Sequence, residues 1–108
     1  MTNKENFTTN IEEIKIKISS LGVMRPGTLN RYYPDKKDKD KFYYQVNCTH
    51  RGKSYTQYIM PELVPSVKRE LVEYKKMKAL VDKLTYYCLL DSKDRIKEAR
   101  KQAKKKHE

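Results

Sequence analysis

The hydrophobic period of this chain changes at Pro61. Over residues 28–60 apolar and polar side chains largely alternate, and from Pro61 onward apolar residues recur at intervals of three and four. A period of two belongs to a strand with one buried face, and a period near 3.6 belongs to a helix with one apolar stripe. The chain is therefore confined to a small group of strands followed by a long helix.

Three strands are expected, over residues 28–33, 42–49 and 54–60. The segment between the last two, His50-Arg51-Gly52-Lys53, holds the glycine a tight hairpin needs. A two-residue or a four-residue loop leads to the same register, with Cys48 opposite Tyr55, Val46 opposite Gln57 and Tyr44 opposite Ile59. That row is apolar except for Gln57. The other face carries Tyr43, Gln45, Asn47, Thr49, Ser54, Thr56 and Tyr58. A slip of one residue would bury this polar set, so the alternation itself selects the register. Six of the nine tyrosines fall between Tyr32 and Tyr58, but the register divides them: Tyr44 and Tyr55 turn to the core, Tyr43 and Tyr58 outward.

In the helical part, Leu63, Val67, Leu71, Tyr74, Met77, Val81, Leu84 and Cys88 form a stripe. The helix is expected over residues 62–90, about seven turns at ~3.6 residues each. With Leu80, Tyr87, Leu89 and Leu90 added, the later stripe is broader than one small sheet needs. It has either the N-terminal helix or a second chain to cover it. Asp91-Ser92 is expected to break the helix and to cap a weakly apolar, basic tail over residues 92–108, either helical or frayed. At the other end Thr9-Asn10-Ile11-Glu12 has the form of a capping box. Ile11, Ile14, Ile18 and Leu21 follow at helical spacing, which predicts a helix over residues 9–21 with Gly22 as its stop, although the run Ile14-Lys15-Ile16-Lys17-Ile18 also alternates like a strand. The expected fold is α+β in a single small domain: an N-terminal helix, a three-stranded antiparallel sheet, and a long C-terminal helix with a basic extension.

The chain of 108 residues is 37% hydrophobic and lacks Trp, so any core is small, and its net charge is +11. The excess is concentrated. Residues 25–60 hold eight Lys or Arg against three Asp, and residues 92–108 hold eight basic against three acidic groups, whereas residues 1–24 balance and residues 61–91 nearly do. Such a surplus repels itself and favours a polyanion. Nucleic acid is the first candidate and an anionic membrane surface the second. No apolar run is long enough to cross a bilayer, and the first six residues have no apolar stretch of a signal peptide. Cys48 and Cys88 have no metal-like spacing and are expected as reduced thiols, so the protein is expected to be cytoplasmic.

The expected site is the outer hairpin face. Gln45 and Asn47 can each make two hydrogen bonds to an adenine edge, and Tyr43 and Tyr58 offer rings to bases or sugars. Arg51 and Lys53 sit at the hairpin tip, with Arg25, Arg31 and Lys41 near the other end, as cations for phosphates. A polar outer face is also what an exposed antiparallel sheet shows; the local positive charge favours binding. The basic tail has the same two readings, a phosphate contact or a solvated terminus. No catalytic constellation can be assembled. His50 and His107 are the only histidines, no serine has an evident base partner, and the three glycines form no phosphate loop. The loop over residues 35–40 has three Asp but neither the central Gly nor the distal Glu of a calcium loop. No enzyme activity, metal or cofactor is expected.

The elements Met24-Arg25-Pro26-Gly27-Thr28-Leu29, Tyr43-Tyr44, Arg51-Gly52-Lys53 and Pro61-Glu62-Leu63-Val64-Pro65 together resemble a family of small uncharacterised bacterial and archaeal proteins. Its members carry an Arg-Pro-Gly-Ser/Thr-Leu element, a Tyr-rich strand pair and a helix led by Val-Pro, and some are encoded among mobile elements. The resemblance covers roughly residues 24–83. It implies an accessory role beside a mobile element and is silent on activity. Many relatives have a cysteine-bearing loop before the tyrosines. Here that loop is Asp35-Lys36-Lys37-Asp38-Lys39-Asp40, which removes any metal role. The order of three strands and a helix is also similar to arm-type DNA-binding domains of tyrosine recombinases, whose sheet enters the major groove. The expected function is non-enzymatic binding of nucleic acid, duplex DNA ahead of RNA, with no membrane partner. The alternative is a protein-interaction or homodimerisation module built on the long helix stripe.

Overall fold

The computed structural model describes residues 3–107, with the side chains of residues 7–105. Along the chain come α1 (Asn3–Ser19), β1 (Thr28–Tyr32), β2 (Tyr43–His50), β3 (Lys53–Ile59), a 3-10 turn (Pro61–Leu63) and α2 (Val64–His107). This is the expected α+β arrangement. The strands form one antiparallel sheet in the order β1-β2-β3. Two compact units are present: one spans residues 22–76, and the other joins the residues up to Leu21 with those from Met77 onward.

In the unit of residues 22–76, the sheet and the first turns of α2 enclose the core. Val46, Ile59, Val64, Val67 and Leu71 are buried, and Leu29 and Tyr44 pack against them. Burial of each such side chain contributes roughly 1.5–3 kcal/mol. Val46, in the central strand, is 1% exposed, the most enclosed of them. The β2–β3 register pairs Tyr44 with Ile59, Val46 with Gln57 and Cys48 with Tyr55, as the alternation requires. The turn resolves to two residues, Arg51 (φ 53°) and Gly52 (φ 76°). Two successive positive φ values are those of a type I′ turn, whose twist matches the flanking strands.

The strand β1 is led in by a strap running from Gly22. The Gly22 N–H donates to Glu73 Oε2 at 3.0 Å, and the Arg25 N–H donates to the Glu70 carbonyl at 3.2 Å. Gly27 then passes over β2 with φ 126°. A Cβ there would lie 2.8 Å from Val46 Cγ1, 2.9 Å from the Asn47 carbonyl oxygen and 3.1 Å from Cys48 Cβ. Only glycine suits both that backbone conformation and that clearance. The loop between β1 and β2 is shaped by its own aspartates. Asp35 Oδ1 accepts from the Lys37 N–H at 2.9 Å, and Asp38 Oδ1 accepts from the Asp40 N–H at 3.1 Å. These are Asx-turns, in which a carboxylate replaces a backbone acceptor.

In the other unit, α1 buries Ile14 and half-buries Phe7, Ile11 and Ile18. From Met77 on, the half-buried residues of α2 are Met77, Leu80, Leu84, Tyr87, Leu90, Asp91, Ser92 and Asp94, and five of them, Met77, Leu80, Leu84, Tyr87 and Asp91, share one helical face. The rings of Phe7 and Tyr87 meet with centroids 6.4 Å apart.

Four helix boundaries differ from the sequence reading, the first being the start of α2, at Val64 after the 3-10 turn instead of at residue 62. α1 begins at Asn3, so Thr9 lies inside it and is not an N-cap. Its C-terminus comes before Gly22. Ser19 Oγ donates to the Ile16 carbonyl at 2.7 Å and Ser20 Oγ to the Lys17 carbonyl at 2.8 Å, and the Ser20 and Leu21 N–H groups reach the Ile16, Lys17 and Ile18 carbonyls, so these carbonyls are satisfied before Gly22 is reached. α2 does not break at Asp91-Ser92 but runs on to His107. Asp91 Oδ2 instead receives Arg95 Nε at 2.9 Å, one turn ahead. Extending a helix adds one hydrogen bond per residue fixed, whereas a new helix requires a new nucleus. Met1, Thr2 and Glu108, which fall within the expected single domain and tail, lie outside the described residues.

Candidate nucleic-acid interface

Strand pairing produces two unlike faces. On the outer face, β1 contributes Thr28, Asn30 and Tyr32 beside Asn47, Gln45 and Tyr43 of β2. Those residues in turn lie beside Thr56 and Tyr58 of β3, and Thr49 lies beside Ser54. The face is tied across its strands by its own side chains. The Thr56 hydroxyl donates to Asn47 Oδ1 at 2.8 Å, Thr49 Oγ1 and Ser54 Oγ are 3.4 Å apart, and the Tyr43 and Tyr58 rings meet edge to face at 6.2 Å. Thr56 takes one lone pair of the Asn47 oxygen, which leaves the amide NH₂ and the second lone pair for a ligand. Tyr43 and Tyr58 are 59% and 65% exposed, enough ring for a base or sugar to contact. Asn30, which flanks Gln45 on β1, belongs to the same surface although the sequence reading did not single it out. Its alternation with Leu29 was the available signal.

At the tip, Arg51 and Lys53 are exposed. Arg51 is the one non-glycine residue with positive φ among the described residues. A left-handed conformation costs an ordinary side chain roughly 1–2 kcal/mol, and Asn or Gly would meet the turn at less. Lys41 precedes β2 and is exposed.

Two of the expected cations belong elsewhere. Arg31 pairs with Tyr44 and shares the inner side with Leu29, away from Gln45 and Asn47. Its guanidinium carbon lies 4.7 Å from the Phe42 ring centroid and 5.9 Å from that of Tyr44. The hydrogen bond it donates to the Tyr33 hydroxyl, and after it the influence of Tyr44, favours its charged form. Arg31 is thus a cation stacked on aromatic rings at the edge of the sheet. Arg25 also lies on the inner side. Its Nη2 donates to Gln57 Oε1 at 3.1 Å, which explains why a polar residue interrupts the apolar row at Gln57. Arg25 and Gln57 border an open groove of about 540 Å³ floored by Val46, Cys48, Tyr55 and Tyr74. Of the nine residues singled out from sequence, the outer face therefore collects Tyr43, Gln45, Asn47 and Tyr58, the turn adds Arg51, and Lys53, which opens β3 opposite His50, falls in the row of Tyr55 and Gln57.

The described residues contain no cluster of His, Cys, Asp or Glu able to hold a metal ion. Cys48 and Cys88 are free thiols. No helix among the described residues is long and apolar enough to cross a membrane. Comparison with protein-family models, curated proteins and solved structures finds no match to this chain.

Proposed function

We propose that this protein binds nucleic acid, duplex DNA in preference to RNA, through the outer face of the β2–β3 hairpin and the turn beyond it. The observation that carries the reading is Arg51. A strained, positively charged residue occupies a turn position that Asn or Gly would fill more stably, at the end of a face of half-buried amides (Gln45, Asn47) and exposed hydroxyl and phenol groups. Strain held at an exposed site is accounted for by a function there. Gln45 and Asn47 read base edges, Tyr43 and Tyr58 contact sugars or bases, and Arg51 with Lys53 and Lys41 hold phosphates. Two-stranded ribbons fit the major groove in this manner.

The test is binding to labelled duplex DNA, single-stranded DNA and RNA across a salt series. The expected result is strongest binding to duplex, with affinity falling steeply as salt rises. Absence of binding to all three at low salt would refute the reading. Replacing Gln45 and Asn47 with Ala is expected to flatten discrimination between duplex sequences, and replacing Arg51 and Lys53 with Gln to weaken all sequences alike.

A second reading is homodimerisation along α2. It is favoured by Val81, Leu89 and Ile96, which are 42%, 58% and 51% exposed on one long helix. The basic residues that flank this stripe oppose it, since a second copy would bring like charges together. Light scattering decides: a monomer at high concentration removes this reading.

A further inference from the structure

The continuity of α2 through Asp91 and Ser92 gives the basic tail a geometry that its composition alone does not have. At about 100° per residue, Lys93, Lys97, Arg100, Lys101 and Lys104 fall within a sector of roughly 100°. The acidic residues Asp91, Asp94 and Glu98 fall in a different sector, where Asp91 pairs with Arg95 at 2.9 Å. None of the five residues of the basic row forms a salt bridge among the described residues, and all five are exposed. The row is about 16 Å long at 1.5 Å per residue. That is roughly five phosphate steps along one strand of a duplex.

Such a row weakens the isolated helix. Lys93 and Lys97, Lys97 and Lys101, and Arg100 and Lys104 are like-charge pairs four residues apart, each unfavourable by about 0.2–0.5 kcal/mol. Five of the seven cations from Lys93 to Lys105 share the row, while Arg95 and Lys105 lie outside it. Neutralisation by a line of phosphates removes the repulsion. An anionic membrane would also neutralise the charge, but helices that lie on bilayers present a broad apolar face with Trp, Phe or Leu. From Lys93 to Lys105 the apolar side consists of Ile96, Ala99 and Ala103.

We propose that residues 93–104 of α2 form a second, sequence-independent contact, a cationic ridge that lies along the sugar-phosphate backbone of a nucleic acid. The inference rests on the proposed nucleic-acid function but not on the hairpin as its reader.

The experiment compares the full chain with two variants. The first carries Lys97→Gln, Arg100→Gln and Lys104→Gln. The second adds Ala99→Lys, Gln102→Lys and Ala103→Lys, which restores the net charge on another side of the helix. The readouts are the salt dependence of binding to duplex DNA and the helical circular-dichroism signal. The first variant is expected to lose about 2.7 from the slope of log affinity against log salt, and about a hundredfold or more in affinity near ~0.1 M salt. The second is expected to remain weak, and helicity in the full chain is expected to rise on binding. An unchanged slope in the first variant overturns the ridge while leaving the proposed function standing. Recovery in the second overturns it too, by reducing the tail to a charge count. Tighter binding to phosphatidylserine vesicles than to DNA, lost in the first variant, assigns the ridge to lipid and overturns the proposal. No binding of the full chain to any nucleic acid at low salt overturns both proposals.

Discussion

Gly27→Ala tests the packing of this fold at its tightest point. The methyl group would enter 2.8 Å from Val46 Cγ1 and 2.9 Å from the Asn47 carbonyl oxygen. Val46 has nowhere to retreat, being 1% exposed at the centre of the core, and the Asn47 oxygen belongs to the backbone of the central strand. Overpacking of this kind costs about 1–3 kcal/mol. The φ of 126° adds roughly 1–2 kcal/mol for any residue with a Cβ. The expected loss is about 2–5 kcal/mol. For a small domain that corresponds to a fall in Tm of roughly 10–30 °C. The other glycines supply the controls. Gly52 has φ 76° but nothing within 4 Å of a Cβ, so Gly52→Ala carries backbone strain alone, about 1 kcal/mol. Gly22 has open space and no such φ, so Gly22→Ala is expected to be neutral or stabilising by up to about 1 kcal/mol. Thermal unfolding by circular dichroism reads all three. A Gly27→Ala protein that melts with the parent, or a Gly52→Ala protein that melts below the Gly27→Ala protein, refutes the close-approach argument.

Arg51→Asn relieves the strained turn position and is expected to raise stability by about 0.5–1 kcal/mol while weakening DNA binding; a variant that is both less stable and unimpaired in binding contradicts the role given to Arg51. Leu71→Ala, which empties a buried site beside Val67 and Ile59, is expected to cost about 2–5 kcal/mol in a denaturant titration. The Glu73 carboxyl is held below its usual range, first by the Gly22 N–H and then by Lys76. A carboxyl with a depressed folded-state pKa contributes stability above its unfolded pKa, and loses it as pH falls through the folded value. Glu73→Gln is therefore expected to lower Tm at neutral pH and to converge on the parent in acid; a gap that persists or widens in acid counts against the Gly22 tether.

The register of the β2–β3 hairpin was legible because a slip of one residue would have exchanged Val46 and Cys48 for Asn47 and Thr49 in the core. The placement of Arg31 was also within reach, since it alternates in step with Leu29, which points to the core; grouping basic residues by proximity in sequence obscured it. Arg25 was not readable in this way. It precedes β1 in an irregular strap, where no period assigns a side, and its direction follows from the backbone bond to Glu70 and the side-chain bond to Gln57. Thr9 and Asp91-Ser92 carry local capping chemistry, but the helices continue through both because each added residue gains a backbone hydrogen bond and a break forfeits several.

The change of period at Pro61 determined the order of strands and long helix, and the alternation before it the pairing of β2 with β3, because burial of one face leaves no other register for those residues. Tertiary structure alone decided which way Arg25 faces, why residue 27 is glycine, and that five of the basic residues beyond Asp91 stand in a row. Those properties depend on contacts between segments distant in sequence, and on the unbroken course of one helix, which local pattern does not encode.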